Sequence, residues 1–566
     1  MFLRKIVAKF IHRLKLMTIS YTMSENQLLL LGDEALALGA LDAGLSGVYA
    51  YPGTPSTEIT EFIQNRKGYK GRGQDRTCGE PPVHCNWSSN EKTAMEEALG
   101  ASYAGKRALV CMKHVGMNVC ADPFMGSAMT GANGGLVVAA CDDPSMHSSQ
   151  NEQDSRFYAN FAMIPCMEPS SQQETYEAAR AAFDLSEQFG IPVLMRLTTR
   201  MAHSRANVTP REPRGQNELH FPPAEKARQW VTLPVNAKAR YPQLIKDNEA
   251  FEKAAEESPF NRYVEGGDKS LGIIACGIAY NYLMDNYPDG CPFPVLKISQ
   301  YPLPKNLVYR LAAECKTILV IEEGQPVVES ALRGTFPSGI NVKGRLDGTL
   351  PRTGELSPDC VRTATGLPAR PERAASQITV PRPPALCQGC GHRDFFTALN
   401  MALEPYPGAR VYGDIGCYTL GYMPPFKALH TCVEMGASIT MAIGSSLSGG
   451  YPMVAVIGDS TFTHSGMTGL LDAVNEKADI TVCISDNETT AMTGGQDSAG
   501  TGKIERICMA LGVEPEHVRT IIPLPKNYDE MCSTIREELD YHGVSVIVSR
   551  RECIQTAKRH AAAKKK

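Results

Sequence analysis

No apolar run in this 566-residue chain approaches the ~18 residues that span a bilayer, so membrane-spanning helices are excluded. Neither sign of charge is in excess. Lys and Arg number 57 against 61 Asp and Glu, a net charge of −4 that gives no case for a nucleic-acid partner. There is no short tandem repeat. There is also no run of the form Cys-x2-Cys-x2-Cys-x3-Cys, the pattern that holds clusters in small electron carriers. No secretory leader is evident, so the 18 cysteines are expected to be thiols or metal ligands in a reducing, cytoplasmic setting rather than disulfides.

What is present is an ordinary globular balance, 43% hydrophobic and 21% charged, in a length that holds three or four domains. Residues 1–22 stand apart: Arg4, Lys5, Lys9, Arg13 and Lys15 occur without an acid, and Leu3, Ile6, Val7, Phe10, Leu14 and Met17 share one helical face. A targeting or membrane-surface helix has this pattern. So does sequence upstream of a start at Met17 or Met23, the preferred reading, because Leu28-Leu29-Leu30-Leu31-Gly32 follows at once as a conventional opening.

Beyond that extension, strand-like runs alternate with helical patterns in three α/β blocks, an arrangement that argues parallel sheets. The first covers residues 24–204, with strands expected at Val48-Tyr51, Ala108-Met112, Gly135-Ala140 and Ile191-Arg196. Residues 205–265 read as a linker or cover. The second block, 266–367, has strands at Leu271-Ala275 and Ile318-Ile321, and the Pro-rich stretch 368–384 reads as a second linker. The third block is 385–555, followed by a tail, 556–566.

The third block holds the most informative pair of segments. Gly458-Asp459-Ser460 follows the apolar run Met453-Val454-Ala455-Val456-Ile457, and Asp486-Asn487 follows Ile480-Thr481-Val482-Cys483-Ile484. Each reads as the C-terminal end of a parallel strand, where ligands bind in open α/β sheets. A carboxylate and an amide oxygen brought together there suit Mg²⁺, which prefers hard oxygen ligands and keeps phosphate oxygens bound. Gly-Asp after a strand and Asp-Asn at a turn are also common without any ligand.

Three further constellations have a functional and a bland reading. Tyr51-Pro52-Gly53-Thr54-Pro55-Ser56-Thr57-Glu58 is either a plain strand-to-helix turn or a loop in which Thr54 or Ser56 caps a helix aimed at an anion. Glu91 stands three residues after Ser88, the spacing of a capping box. Its functional reading is a catalytic carboxylate. Cys387-Gln388-Gly389-Cys390-Gly391-His392, with Cys417 in Gly413-Asp414-Ile415-Gly416-Cys417, reads as a redox pair, part of a zinc site, buried thiols or iron–sulfur ligands. Cys553, after the strand at Val544-Val548, is positioned to return as a fourth thiolate.

Taken together these segments resemble the 2-oxoacid:ferredoxin oxidoreductases, most nearly the large subunit of the indolepyruvate enzymes. The likeness runs from about Gln27 to Cys553. Its most specific carriers are Asn90-Glu91-Lys92, Met112-Lys113-His114-Val115-Gly116, Met146 through Asp154, Ile321-Glu322-Glu323-Gly324-Gln325, Gly354-Glu355-Leu356 and Gly458 through Gln496. The resemblance implies a multidomain α/β thiamine diphosphate enzyme with two doubly wound parallel-sheet cofactor-binding domains and a transketolase C-terminal-like domain between them. It implies Glu91 as the cofactor-activating glutamate and Thr54 at the substrate carboxylate. Asp459, Asn487 and the Thr489 carbonyl match Mg²⁺ ligands, with Gly416, Gly458 and Ser460 near the cofactor. Cys387, Cys390, Cys417 and Cys553 match the ligands of one 4Fe-4S cluster. His114 and His464 are candidates for proton handling or substrate polarisation, and each also has a structural reading.

The activity so implied is oxidative decarboxylation of an aryl 2-oxoacid with CoA, reducing ferredoxin. The implied assembly is a homodimer of this subunit with a smaller beta subunit, without nucleic acid or membrane. The relatives' large subunits usually end in a ferredoxin-like module, and no such cysteine runs occur here. A non-oxidative thiamine decarboxylase of the phosphonopyruvate or sulfopyruvate type is the alternative. It shares the metal motif and Glu91 but needs no cluster, so the four cysteines separate the two readings.

Overall fold

A computed structural model describes residues 27–68, 77–78, 81–223, 226–336, 339–371, 374 and 376–563. The basic extension 1–22 lies outside the described residues. The three expected blocks form three sheets. The first has eight strands in the order Gln300–Tyr301, Cys166–Met167, Val193–Thr198, Leu136–Asp142, Ala108–Lys113, Gly47–Ala50, Val83–His84, Thr77–Cys78. All neighbouring pairs in its centre are parallel, and only the two edge strands run antiparallel. Its central strands are buried along their whole length apart from Lys113 and Tyr49, as strands covered by helices on both faces must be.

The third block is an all-parallel sheet of six strands, in the order Thr431–Cys432, Arg410–Gly413, Met453–Gly458, Ile480–Asp486, Val544–Arg550, Val518–Ile521. The strand expectations stand within two residues at every position. The middle block is a five-stranded sheet, with Gly272–Cys276 between Val295–Ile298 and Thr317–Ile321.

Residues 205–265 are more than a linker. Arg205–Val208 pairs antiparallel with Leu28–Leu31, and helix Pro234–Glu256 buries Leu244 and Phe251 against the first block's core. Sequence periodicity hid this helix because only one narrow stripe of it is apolar. The expectation of thiols throughout also needs correction. Cys85 is disulfide-bonded, while 16 other cysteines are free.

The first and middle blocks share a seam of buried charge. Arg196, at 0% exposure, donates from Nε to Asp142 (2.6 Å), from Nη1 to Glu168, and from Nη2 to Asp154 (3.2 Å) and the Glu323 carbonyl (3.0 Å). Arg156 chelates Asp154 through Nε (2.9 Å) and Nη2 (2.6 Å) and reaches across to Glu322 (2.9 Å). Burial alone would raise the Asp154 carboxyl, but Arg156 and Arg196 hold it down to about 2. Ser145 Oγ accepts from the Glu355 amide (2.6 Å), and Glu323 accepts from the Leu356 amide (2.9 Å). The segments Met146–Asp154, Ile321–Gln325 and Gly354–Leu356, conspicuous in the sequence, therefore meet at or beside one seam.

Removing one member of such a network strands the others as unpaired buried charges, at a cost of about 3–5 kcal/mol. Arg196→Ala is expected to lower stability by about that much in denaturant titration. A loss below about 1 kcal/mol, the scale of an exposed pair, would show that the seam is not structural.

Candidate active site

The C-terminal ends of the first and third sheets face each other across a cavity of about 410 Å³. Ligands bind at such strand ends. Thr54, Glu91 and Lys113 come to it from the first block, and Asp459, His464 and Asn487 from the third. Both halves of this lining come from the one chain.

Glu91 does not form the capping box that its spacing with Ser88 allowed. Asn90 is the N-cap of helix Glu91–Tyr103, accepting from the Thr93 amide (2.8 Å), and Ser88 instead donates to Glu97 (2.7 Å). Freed of that duty, the buried Glu91 meets His464 Nε2 at 2.8 Å. His464 Nδ1 lies 2.6 Å from Ser465 Oγ, and the His464 carbonyl accepts from Asn90 Nδ2 (2.9 Å). His464 sits in a π-helical turn, Phe462–Gly466, a local widening that recurs at functional sites. On the other side of Glu91 the neighbour must be glycine: a Cβ on Gly116 would stand 2.7 Å from Glu91 Cγ.

Tyr51 packs edge-on against His464, with ring centres 4.7 Å apart, and its hydroxyl lies 2.9 Å from Ser460 Oγ. Burial pushes the Tyr51 phenol up, so it acts as a neutral hydrogen-bonding group. Ser460 also touches Thr490 Oγ1 (2.9 Å).

Asp459 is 2% exposed, and its Oδ2 has no hydrogen-bond partner among the described residues. Burial first, and then the charge of Asp486, push its carboxyl up to about 7. A buried carboxylate oxygen without a donor is what a bound cation would satisfy. Asn487 and Thr489 line the same cavity, and the Asn487 side-chain oxygen accepts from the Thr489 amide (3.2 Å). The donors present fit an oxygen-liganded Mg²⁺ with diphosphate. The Gly458 backbone is also approached closely by the Tyr418 ring, which a Cβ would meet at 2.6 Å.

Cys387, Cys390, Cys417 and Cys553 line a second cavity, about 110 Å³. They come from a turn, the N-cap of helix Gly391–Leu403, the turn Cys417–Tyr422 and the residue before helix Ile554–Ala563. Among the described residues no three of these sulfurs lie within 4.8 Å of one another. Tetrahedral zinc, at about 2.3 Å from sulfur, would hold them about 3.8 Å apart. Four cysteine thiols around one pocket are a donor set that fits an iron–sulfur cluster. Burial and the neighbouring Cys390, Cys553 and Cys387 push the Cys417 thiol up to about 12, a cost that coordinated iron would relieve. His392 also lines this pocket, and burial holds its imidazole down to about 4, so it is neutral there.

Cys417, Asn487 and Ala491 belong to the walls of both cavities. The Cys553 amide donates to the Asn487 carbonyl (3.1 Å), which ties the two sites together through one residue.

Of the other residues singled out in the sequence, Thr54, Gly416, Gly458, Ser460 and Thr489 line the main cavity. Ser56 does not cap by side chain; it donates to the Gly53 carbonyl (2.7 Å). His114 is not in the wall. It is buried, with Nε2 3.0 Å from the Asn151 carbonyl and Nδ1 without a hydrogen-bond partner among the described residues. Lys113 went unassigned in the sequence. It ends the buried strand Ala108–Lys113 and lines the cavity, with Nζ donating to the Ser148 carbonyl (3.0 Å). Burial holds its ammonium below the usual lysine range. A lone cation at the carboxyl end of an otherwise apolar strand was the available signal.

Residues 38–257 match the family described as pyruvate flavodoxin/ferredoxin oxidoreductase, thiamine diphosphate-binding, and residues 414–548 match the thiamine pyrophosphate enzyme C-terminal TPP-binding domain. The fold and these domains define a thiamine diphosphate-dependent oxidoreductase. Indolepyruvate oxidoreductase subunit IorA of Archaeoglobus fulgidus is 38% identical over 93% of this chain and 86% of its own length. The same subunit of Methanothermobacter thermautotrophicus is 39% identical over 94% and 87%, and that of Pyrococcus abyssi 36% over 93% and 86%. The chain belongs to this IorA family. Among solved structures, a 2-oxoglutarate:ferredoxin oxidoreductase from Magnetococcus marinus aligns over 60% of this chain and 65% of that one. Its TM-score is 0.48 at 14% identity, too loose a likeness to transfer detail.

Because burial and Asp486 push the Asp459 carboxyl up to about 7, protons would compete there with a bound cation. Apparent Mg²⁺ affinity, measured with thiamine diphosphate present, is expected to fall about tenfold per pH unit below 7 and to level off above it. Asp459→Asn is expected to weaken binding and flatten the profile. A flat wild-type profile from about pH 5.5 to 8 would contradict this assignment.

Proposed function

We propose that the chain carries out oxidative decarboxylation of aryl 2-oxoacids with CoA, passing two electrons singly through a 4Fe-4S cluster to ferredoxin. The products are the aryl-acetyl-CoA, CO₂, reduced ferredoxin and a proton. The observation that carries this reading is the shared wall: a four-cysteine pocket abuts the cofactor cavity through Cys417, Asn487 and Ala491. A non-oxidative decarboxylase has no use for such a neighbour.

Asp459, Asn487 and the Thr489 carbonyl would hold Mg²⁺ and with it the diphosphate of thiamine. Thiamine diphosphate, when bound, supplies the carbon nucleophile and the electron sink that decarboxylation requires. The chain's own work is orientation and proton transfer. Glu91 would hold the proton exchanged with the aminopyrimidine, and His464, on Glu91 at 2.8 Å, would fix that carboxyl. Lys113 and Thr54 stand together at the first block's strand end, where a cation and a hydroxyl suit the substrate carboxylate. Val115, Val433, Met435 and Met492 give the same cavity apolar walls that suit an aryl side chain. The relatives are named as a subunit, which supports a smaller partner subunit in the working complex. A homodimer within that complex belongs to the same reading.

Anaerobically purified protein is expected to hold about four irons and four acid-labile sulfides per chain, with a reduced-cluster EPR signal after dithionite. Negligible iron after reconstitution would remove the electron acceptor and leave a decarboxylase. Glu91→Gln is expected to lower turnover by about 10²–10⁴-fold with iron content unchanged. Undiminished turnover would show that another group activates the cofactor.

A further inference from the structure

Away from both cavities, three side chains converge that the proposed chemistry does not use. Asp33 lies in the first turn of helix Gly32–Asp42, Glu58 in the first turn of helix Thr57–Lys67, and His203 ends the short helix Thr199–His203. One ligand atom from each lies within 4.8 Å of the other two, and His203 Nε2 is 3.4 Å from Glu58 Oε2. None of the three lines the cofactor cavity or the cysteine pocket.

Asp33 is the informative member. It is 0% exposed, and its Oδ2 has no hydrogen-bond partner among the described residues. Its Oδ1 is approached by the Cys141 thiol at 3.9 Å, a weak contact. Burying a carboxyl without donors is costly unless it is neutralised or ligates a metal. Burial pushes the Asp33 carboxyl well above its usual range, and the charge of Glu58 pushes the same way. The two carboxyls therefore crowd one spot beside an imidazole, and among the described residues no lysine or arginine donates to Asp33.

We propose that Asp33, Glu58 and His203 form a binding site for a divalent transition-metal cation of the zinc class. Tetrahedral zinc at about 2.1 Å from nitrogen and oxygen ligands holds them about 3.4 Å apart, the separation of Glu58 and His203. An imidazole in the set favours zinc over Ca²⁺ and Mg²⁺, which take oxygen sets. The Glu58 and His203 side chains are 36% and 33% exposed, which leaves the edge of the cluster open to solvent although Glu58 Oε2 itself is buried, and the fourth position is left for a water.

The site's placement gives it a consequence. Helix Thr57–Lys67 follows directly on the loop whose Tyr51, Pro52, Gly53 and Thr54 wall the cofactor cavity. One turn further on, Glu61 accepts from Gln496 Nε2 of the third block (2.7 Å). A cation joining Asp33, Glu58 and His203 pins the base of that loop and the helix that bridges to the third block.

The test is zinc content per full-length chain after equilibration with buffered free Zn²⁺, read by elemental mass spectrometry beside thermal melting. Wild type and Cys390→Ser are expected to hold one zinc equivalent that His203→Ala and Asp33→Asn bind at least about 100-fold more weakly. Zn²⁺ is expected to raise the melting temperature of wild type and not of His203→Ala, whose partly exposed side chain puts folding at little risk. The proposal is overturned if His203→Ala keeps the zinc, if Cys390→Ser alone loses it, or if wild type takes up none and shows no thermal shift.

Discussion

Everything in this molecule that serves catalysis depends on holding the carboxyl ends of two parallel sheets face to face across one cavity. The contacts that span this gap are few and polar. Glu91 meets His464, Asn90 holds the His464 carbonyl, Tyr51 meets Ser460, and Glu61 takes a hydrogen bond from Gln496. Parallel strands point their carboxyl ends the same way, so one cavity collects loops from several strands of both sheets. In the low-dielectric space so formed, each polar group is tuned by its neighbours. Burial raises the Asp459 carboxyl, to about 7, and lowers the Lys113 ammonium below the usual lysine range.

The buried seam between the first and middle blocks solves a different problem. Arg156 and Arg196 hold Asp142, Asp154, Glu168 and Glu322 in one dry network. Such a network contributes little net stability compared with apolar packing, but it tolerates only one docking geometry. Segment Ser148–Asn151, which reaches the cofactor cavity, runs straight into Asp154 of the seam. The middle block therefore acts on the site at one remove, by fixing the loop that leads there.

Much of this was legible in the residues. Apolar runs of five to seven residues ending in Gly-Asp or Asp-Asn marked the strands Met453–Gly458 and Ile480–Asp486 and the ligand edge of the third sheet. Glu91, Asp459, Asn487 and the four cysteines were identifiable as chemistry-bearing residue types at telling places. Less legible were the features that depend on distant parts of the chain. Ser88 and Glu91 had the spacing of a capping box, yet Asn90 took the cap, because the helix begins two residues later than that spacing assumed. His114 and His464 looked equivalent as sequence; one packs against the Asn151 carbonyl, and the other faces Glu91 from the opposite block. Helix Pro234–Glu256 went unread because its buried stripe is only a few residues wide.

The sequence by itself determined the three α/β blocks, their strand order in the chain and the residue types available to metal and cofactor, because hydrophobic periodicity and turn residues act locally. Only the tertiary structure decided which of those residues meet. Contacts between residues hundreds of positions apart depend on how sheets dock, and no local pattern encodes that. The pairing of Glu91 with His464, the common wall at Cys417 and the convergence of Asp33, Glu58 and His203 all arise from that docking.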